Sequence, residues 1–142
     1  MNIKIPTLEE FYRYTGLHCP QLWEQVGEHY ICPACKRNKF QILRWTNRFP
    51  KKSAAFKDWV AVLCRHHDHS QGIRRNNKAR FPDAVICLQC NSADGAVKRK
   101  LKLHKEFSFS PEELSLFIKA TPHGKHEIDY EIARAIYTGL HI

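Results

Sequence analysis

Two Cys-x-x-Cys pairs, Cys32-Pro33-Ala34-Cys35 and Cys87-Leu88-Gln89-Cys90, constrain this 142-residue chain more than any other feature. A closed zinc site takes four ligands in a tetrahedron and commonly draws them from two short knuckles of this spacing. Binding of one ion by all four thiolates would bring together the ends of a 51-residue segment. That segment is too long for a finger tip and reads as an inserted unit. Three disulfides from the six cysteines fit less well. The start, Met1-Asn2-Ile3-Lys4-Ile5-Pro6-Thr7, lacks the apolar stretch of a secretory signal, and thiolate ligands suit a reducing compartment. The expectation is an intracellular protein, cytoplasmic or nucleoid-associated if bacterial or phage-encoded, with no membrane partner, since no apolar run reaches the length of a span. Cys19 and Cys64 stand outside the pairs and are expected as free thiols in partly buried places. One domain with a modest core is expected, to which the metal would add folding free energy.

The net charge of +9 is unevenly placed. Residues 36–105 carry eighteen Lys or Arg against four acids, while the two flanks together carry five against ten. The positive field therefore lies on the segment that holds the cysteines and three clustered histidines. A polyanion is the simplest partner for such a segment, held first by salt-sensitive phosphate contacts. A solvated basic surface is the plainer account.

Local signals divide the chain into an N-terminal helical segment (1–30), a central unit (31–104) and C-terminal helices (105–142). Thr7-Leu8-Glu9-Glu10 reads as a helix cap, with Gly16 as the stop, and a second helix is expected over 20–29. Residues 41–45 and 59–64 read as strands, 84–87 as another, and 70–82 as a polar, basic loop. A helix is expected from Asn91, with Ala93, Val97 and Leu101 inward. Ser110-Pro111-Glu112-Glu113 signals a capping box, and 127–137 a last helix burying Ile128, Ile132, Ala135 and Ile136.

The chemistry concentrates in Cys64-Arg65-His66-His67-Asp68-His69 and in Asn91, directly after the second knuckle. Histidine suits proton transfer near neutral pH. Neighbours in an extended segment point to opposite sides, so His66 and His67 are expected to diverge, one toward a water and the other toward a metal. Each residue also has a plainer account: Asn91 as a helix N-cap, His67 as a packed histidine, His66 as a phosphate-binding or solvated side chain. Lys98, Arg99, Arg74 and Arg75 are candidates for phosphate contacts. The stretch with Arg44, Trp45, Asn47, Arg48, Lys51 and Lys52 would read base edges or merely position the backbone.

On Cys87-x-x-Cys90-Asn91, with Gly95 four residues on, and on the histidine cluster, residues 31–104 resemble the HNH or His-Me finger endonucleases. The likeness is to the branch of phage recombination endonuclease VII and zinc-containing HNH restriction endonucleases. The resemblance implies an α+β fold whose ββα-metal core is braced by a four-cysteine zinc at Cys32, Cys35, Cys87 and Cys90. It implies His67 as the general base, and Asn91 and His66 as ligands of a catalytic Mg2+ or Mn2+. His66 replaces the family's aspartate, a change that favours softer ions. His69 matches an additional histidine that touches the phosphate or assists the metal. The implied activity is hydrolysis of DNA to 5′-phosphate and 3′-hydroxyl ends. One site per chain cuts a duplex with two chains or two visits, so a homodimer is expected, the C-terminal helices being candidates for its interface. A non-catalytic zinc-dependent DNA-binding protein, and a nuclease acting mainly on RNA, are the alternatives.

Overall fold

A computed structural model of the chain describes residues 2–49, 53–68 and 79–140. Its described residues form a mixed α+β fold in which every sheet is a two-stranded antiparallel pair. Helix α1 (Leu8–Arg13) starts on a reciprocal box: the Thr7 hydroxyl accepts from Glu10 N–H while the Glu10 carboxylate accepts from Thr7 N–H. Gly16 has φ +89°, and a Cβ there would lie 2.6 Å from Trp23 Cβ, so only glycine lets the chain pass α2 (Pro20–Gln25) this closely. Helix α2 is shorter than the expected 20–29, because Gly27 turns the backbone into the left-handed region.

Beyond the first knuckle, the expected strand at 41–45 gives way to helix α3 (Lys39–Ile42), capped by the Asn38 side chain. Strand β1 (Arg44–Phe49) then pairs with β2 (Ser53–Val60), placing Trp45 opposite Trp59 and Asn47 opposite Lys57. The expected strand at 59–64 is split. Val60 completes the β1–β2 ribbon, whereas Leu63 opens β3 (Leu63–His66) and pairs with Cys87 of β4 (Ala84–Cys87) in a different sheet. Buried Ala61 marks the change of sheet, its N–H donating to the Tyr14 hydroxyl at 3.0 Å.

Helix α4 (Leu88–Leu101) follows β4 without a break and starts three residues earlier than expected. Its cap position is Cys87, and Leu88 N–H donates to Val62 O at 2.8 Å. The consequence for Asn91 is direct. It lies inside the helix, so capping does not occupy its amide. The Ser110–Glu113 box forms as expected and opens α5 (Pro111–Phe117). The helix expected over 127–137 is shorter and shifted. Glu127–Ile128 forms strand β6 against β5 (Ile118–Lys119), and the Asp129 carboxylate then caps α6 (Tyr130–Gly139). The shift buries Ala133 and leaves Ile132 and Ala135 exposed. Among the described residues, no helix is long and apolar enough to cross a membrane.

Leu43, Ile86, Val97, Phe107, Phe109 and Leu114 are fully buried, each contributing roughly 1.5–3 kcal/mol of transfer free energy. The 107–110 segment runs beneath β3 and α4 and is fastened to both. Phe109 N–H donates to Asp94 Oδ1 at 2.8 Å, and Phe109 O lies 2.7 Å from His66 Nε2. Arg80 closes the other side, pairing with Glu113 at 2.8 Å, donating to Ser108 O at 2.7 Å and lying 4.9 Å over the Phe107 ring.

Burial raises the Glu113 carboxyl pKa, but Arg80 and the Ser110 N–H outweigh it, so the net shift is downward. A carboxylate lowered in the folded state stabilises above its unfolded pKa and loses that contribution as pH falls through the folded value. Glu113→Gln should therefore cost roughly 2–3 kcal/mol at neutral pH. In chemical denaturation at decreasing pH the variant and parent should converge; a gap that stays constant into acid would contradict the ion pair's role.

Candidate functional site

The four paired cysteines converge. Their sulfurs all lie within 4.8 Å of one another, with Cys32–Cys90 at 3.9 Å, Cys35–Cys87 at 3.8 Å and Cys87–Cys90 at 3.5 Å. Bonds of about 2.3 Å in a tetrahedron put ligand sulfurs roughly 3.8 Å apart, whereas a disulfide needs about 2.0 Å. The cluster is positioned to bind a metal ion, and its all-thiol donor set is consistent with a structural zinc. Local structure produces this geometry. The Ile31–Asn38 bridge pinches the first knuckle, and the end of β4 with the first turn of α4 presents Cys87 and Cys90. Crowding splits the thiols. Hydrogen bonds with Cys32 and then Cys87 hold Cys35 far below the ordinary thiol range; those with Cys32, Cys35 and Cys87 push Cys90 far above it. A bound cation removes this competition for protons by favouring all four thiolates.

Arg37 and His126 also touch the sulfurs, and neither stands at a spacing that would announce it. Arg37 is 3% exposed and donates through Nε to Cys35 Sγ at 3.2 Å and through Nη2 to Cys87 Sγ at 3.6 Å. Its pKa is raised: burial opposes the charged form, and contact with the Cys35 and Cys87 sulfurs overrides that. His126, assigned no ligand role by spacing, brings Nε2 to 3.2 Å from Cys90 Sγ. Its Nδ1 is buried without a partner, which favours the tautomer that carries the proton on Nε2, facing sulfur. Gln89 accepts from His126 N–H at 2.9 Å and donates to Gly124 O at 3.1 Å, so the turn before β6 is fastened to the cluster.

About the histidines, β3–β4 pairing ends at His66 opposite Ala84, and the next cross-strand positions are His67 and Asp83. His66 is 3% exposed and stacks on Phe81 with 13° between the rings. Its Nε2 donates to Phe109 O at 2.7 Å, which leaves the Nδ1 lone pair facing Asn91 Oδ1 at 3.3 Å. Two acceptors thus face each other. An amide turned to present its NH2, a second proton on the ring, or a shared cation would reconcile them. His67 is turned away and 40% exposed, with Nδ1 3.1 Å from Asp83 Oδ2. That carboxylate favours a proton on Nδ1 and leaves Nε2 as the acceptor. The signal for Asp83 was available only through register, as an acid directly after a proline and opposite a histidine. Asp68 is buried and its carboxylate accepts from Arg80 N–H.

His66 and Asn91 are therefore together, with His67 adjoining on the opposite side. The cationic candidates are dispersed. Lys98 lies seven residues from Asn91 on the same stripe of α4 and pairs with Asp94 at 3.4 Å. Arg99 is exposed. Arg48 lies on the ribbon 3.8 Å from Asp58. Arg44 is half-buried in a groove on another side of α4, with Leu88, Gln89 and Ser92. His69, Arg74, Arg75, Lys51 and Lys52 lie outside the described residues. Comparisons with family models, curated proteins and solved structures give no match.

The purified chain should hold one zinc per molecule by elemental analysis. Cobalt substitution should give the intense thiolate charge-transfer bands of a tetrahedral sulfur site. Protons compete for the same sulfurs, so the metal should leave as pH falls, and Cys90→Ser should lose it at neutral pH. Full metal content in that variant would contradict the four-thiolate site.

Proposed function

We propose that the chain is a metal-dependent DNA endonuclease of the His-Me finger type, with β3, β4 and α4 as its ββα unit and the four cysteines as a structural zinc site bracing it. The observation that carries this reading is the placement of His66 and Asn91. Ligand atoms at right angles about one hard divalent ion lie roughly 3.0 Å apart, and His66 Nδ1 and Asn91 Oδ1 lie 3.3 Å apart. The Nε2–H to Phe109 carbonyl bond is the support that a metal-binding imidazole ordinarily has, since it fixes the tautomer and aims the other nitrogen. Of the three ways to reconcile the facing acceptors, a shared Mg2+ or Mn2+ is the one that also gives His67 work beside it.

In this reading His67 Nε2 takes a proton from the attacking water as its oxygen bonds to phosphorus, and the bond from phosphorus to the 3′ oxygen breaks. The departing 3′ oxygen takes a proton from solvent water, so the products carry a 5′-phosphate and a 3′-hydroxyl. The divalent ion, when bound, supplies positive charge to the phosphoryl and departing oxygens. Asp83 keeps the proton of neutral His67 on Nδ1. Exposure at 40% leaves the ring accessible to a phosphate while the neighbouring ring is locked in the core. Lys98 and Arg99, on the outer turns of α4, are suited to the flanking backbone.

A second reading has its own support: His66 is 3% exposed, and turning the Asn91 amide satisfies both groups with no ion. That describes a zinc-braced binding protein without catalysis. Cleavage of plasmid DNA decides between them. The zinc-loaded protein should nick plasmid with Mg2+ or Mn2+ and stop on chelation of those ions. His67→Ala should lower the rate by about 10²–10⁴-fold, and Asn91→Ala should abolish stimulation by the added ion while DNA binding persists. DNA binding without metal-stimulated cleavage by the parent protein would establish the second reading.

A further inference from the structure

On the side of α4 away from Asn91, the β1–β2 ribbon, the first turns of α4 and the 125–128 segment enclose a groove of about 350 Å³. Its volume lies within the roughly 300–1,000 Å³ typical of ligand sites. The floor is apolar, built from Val60, Leu88, Ala93, Ala96 and Ile128. Among the described residues Arg44 and Lys125 are its cations, and no carboxylate lines it.

Arg44 is the unusual member. The residue is half-buried, and no hydrogen bond or ion pair holds its guanidinium among the described residues. What acts on it is unfavourable: burial first, then the positive charge of Arg37. Arg37 is itself committed to the cysteine sulfurs, so it offers Arg44 no relief. A half-buried cation beside a second cation, in a groove without acids, is an electrostatic vacancy that an anion would fill. The apolar floor requires that the anion carry a flat or apolar body. That combination describes an unpaired nucleotide better than a duplex, whose bases are turned toward one another and cannot reach the floor.

We propose that this groove binds single-stranded nucleic acid, with a phosphate held by Arg44 and Lys125 and the adjoining base laid over Val60 and Leu88. The identity of the ligand rests on the nuclease reading. A helix is about 10–12 Å across with its side chains, so a strand leaving a phosphate at Asn91 reaches the groove by crossing the beginning of α4.

The test uses the full zinc-loaded chain carrying His67→Ala, so that substrate survives. Its probes are a fluorescent oligodeoxythymidylate and a blunt hairpin duplex, both followed by anisotropy. Arg44→Gln should weaken binding of the single strand roughly tenfold and lower its salt slope by about one. Ala96→Glu, which leaves Arg44 in place and adds an acid to the floor, should weaken it at least as much. Duplex binding should change little in either variant, and metal content and thermal midpoint should match the parent. No binding of the single strand by the parent, unchanged binding in both variants, equal loss for the duplex, or displacement by polyglutamate as effective as by unlabelled oligonucleotide would each overturn the proposal. Plasmid cleavage is measured separately with His67 intact. Absence of cleavage would remove the nuclease reading while an Arg44-dependent single-strand site remained.

Discussion

The four-sulfur cluster joins two places that the chain separates by 51 residues, and the positions of the other groups follow from that closure. One knuckle belongs to the N-terminal part, beside α3; the other is the junction of β4 and α4. Fixing Cys87 and Cys90 fixes the first turn of α4, and Asn91 is the next residue. Fixing Cys87 also fixes β3 through the Leu63–Cys87 pair, which sets the register that leaves His66 beside Asn91. In a chain this small a metal cross-link adds folding free energy directly, because the unfolded chain holds no preformed site. The sulfurs are not bare: the Arg37 guanidinium and the His126 ring lie against them, and the C-terminal unit is docked through the same contacts.

The second constraint is the 107–110 segment, which carries no chemistry of its own. Its backbone orients both Asp94 and His66, and its two phenylalanines fill the core under β3 and α4. A buried imidazole held by a carbonyl has one tautomer and one direction. His67, one residue on, is half-exposed and has Asp83 across the sheet beside its Nδ1. The alternation of a strand thus divides two adjacent histidines into a fixed group and an accessible one.

Much of this was legible in residues and spacing. The four-sulfur cluster followed from two pairs of cysteines, the cap at Thr7 from the acids of the first turn, the cap at Ser110 from its reciprocal glutamate, and the divergence of His66 and His67 from strand geometry. What was not legible depended on contacts remote in sequence. The start of α4 was set by Val62 O receiving the Leu88 N–H, not by Asn91 as a cap. The Glu127–Ile128 strand and the shifted α6 depended on pairing with Ile118 and on capping by Asp129. Arg37 and His126 gained their places only when the chain closed around the cysteines. Arg44 looked like one of several surface cations, and its half-buried position beside α4 appears only once the ribbon is folded.

The account turns on whether His66 and Asn91 share one divalent cation. Side-chain NMR of the zinc-loaded protein during addition of Mn2+ measures this directly, because the paramagnetic ion broadens signals from the nuclei nearest to it. The His66 ring and the Asn91 amide should broaden first, with His67 close behind. Sharp His66 and Asn91 signals at Mn2+ concentrations that broaden other residues would contradict a shared ion and leave the pair as a hydrogen-bonded part of the core.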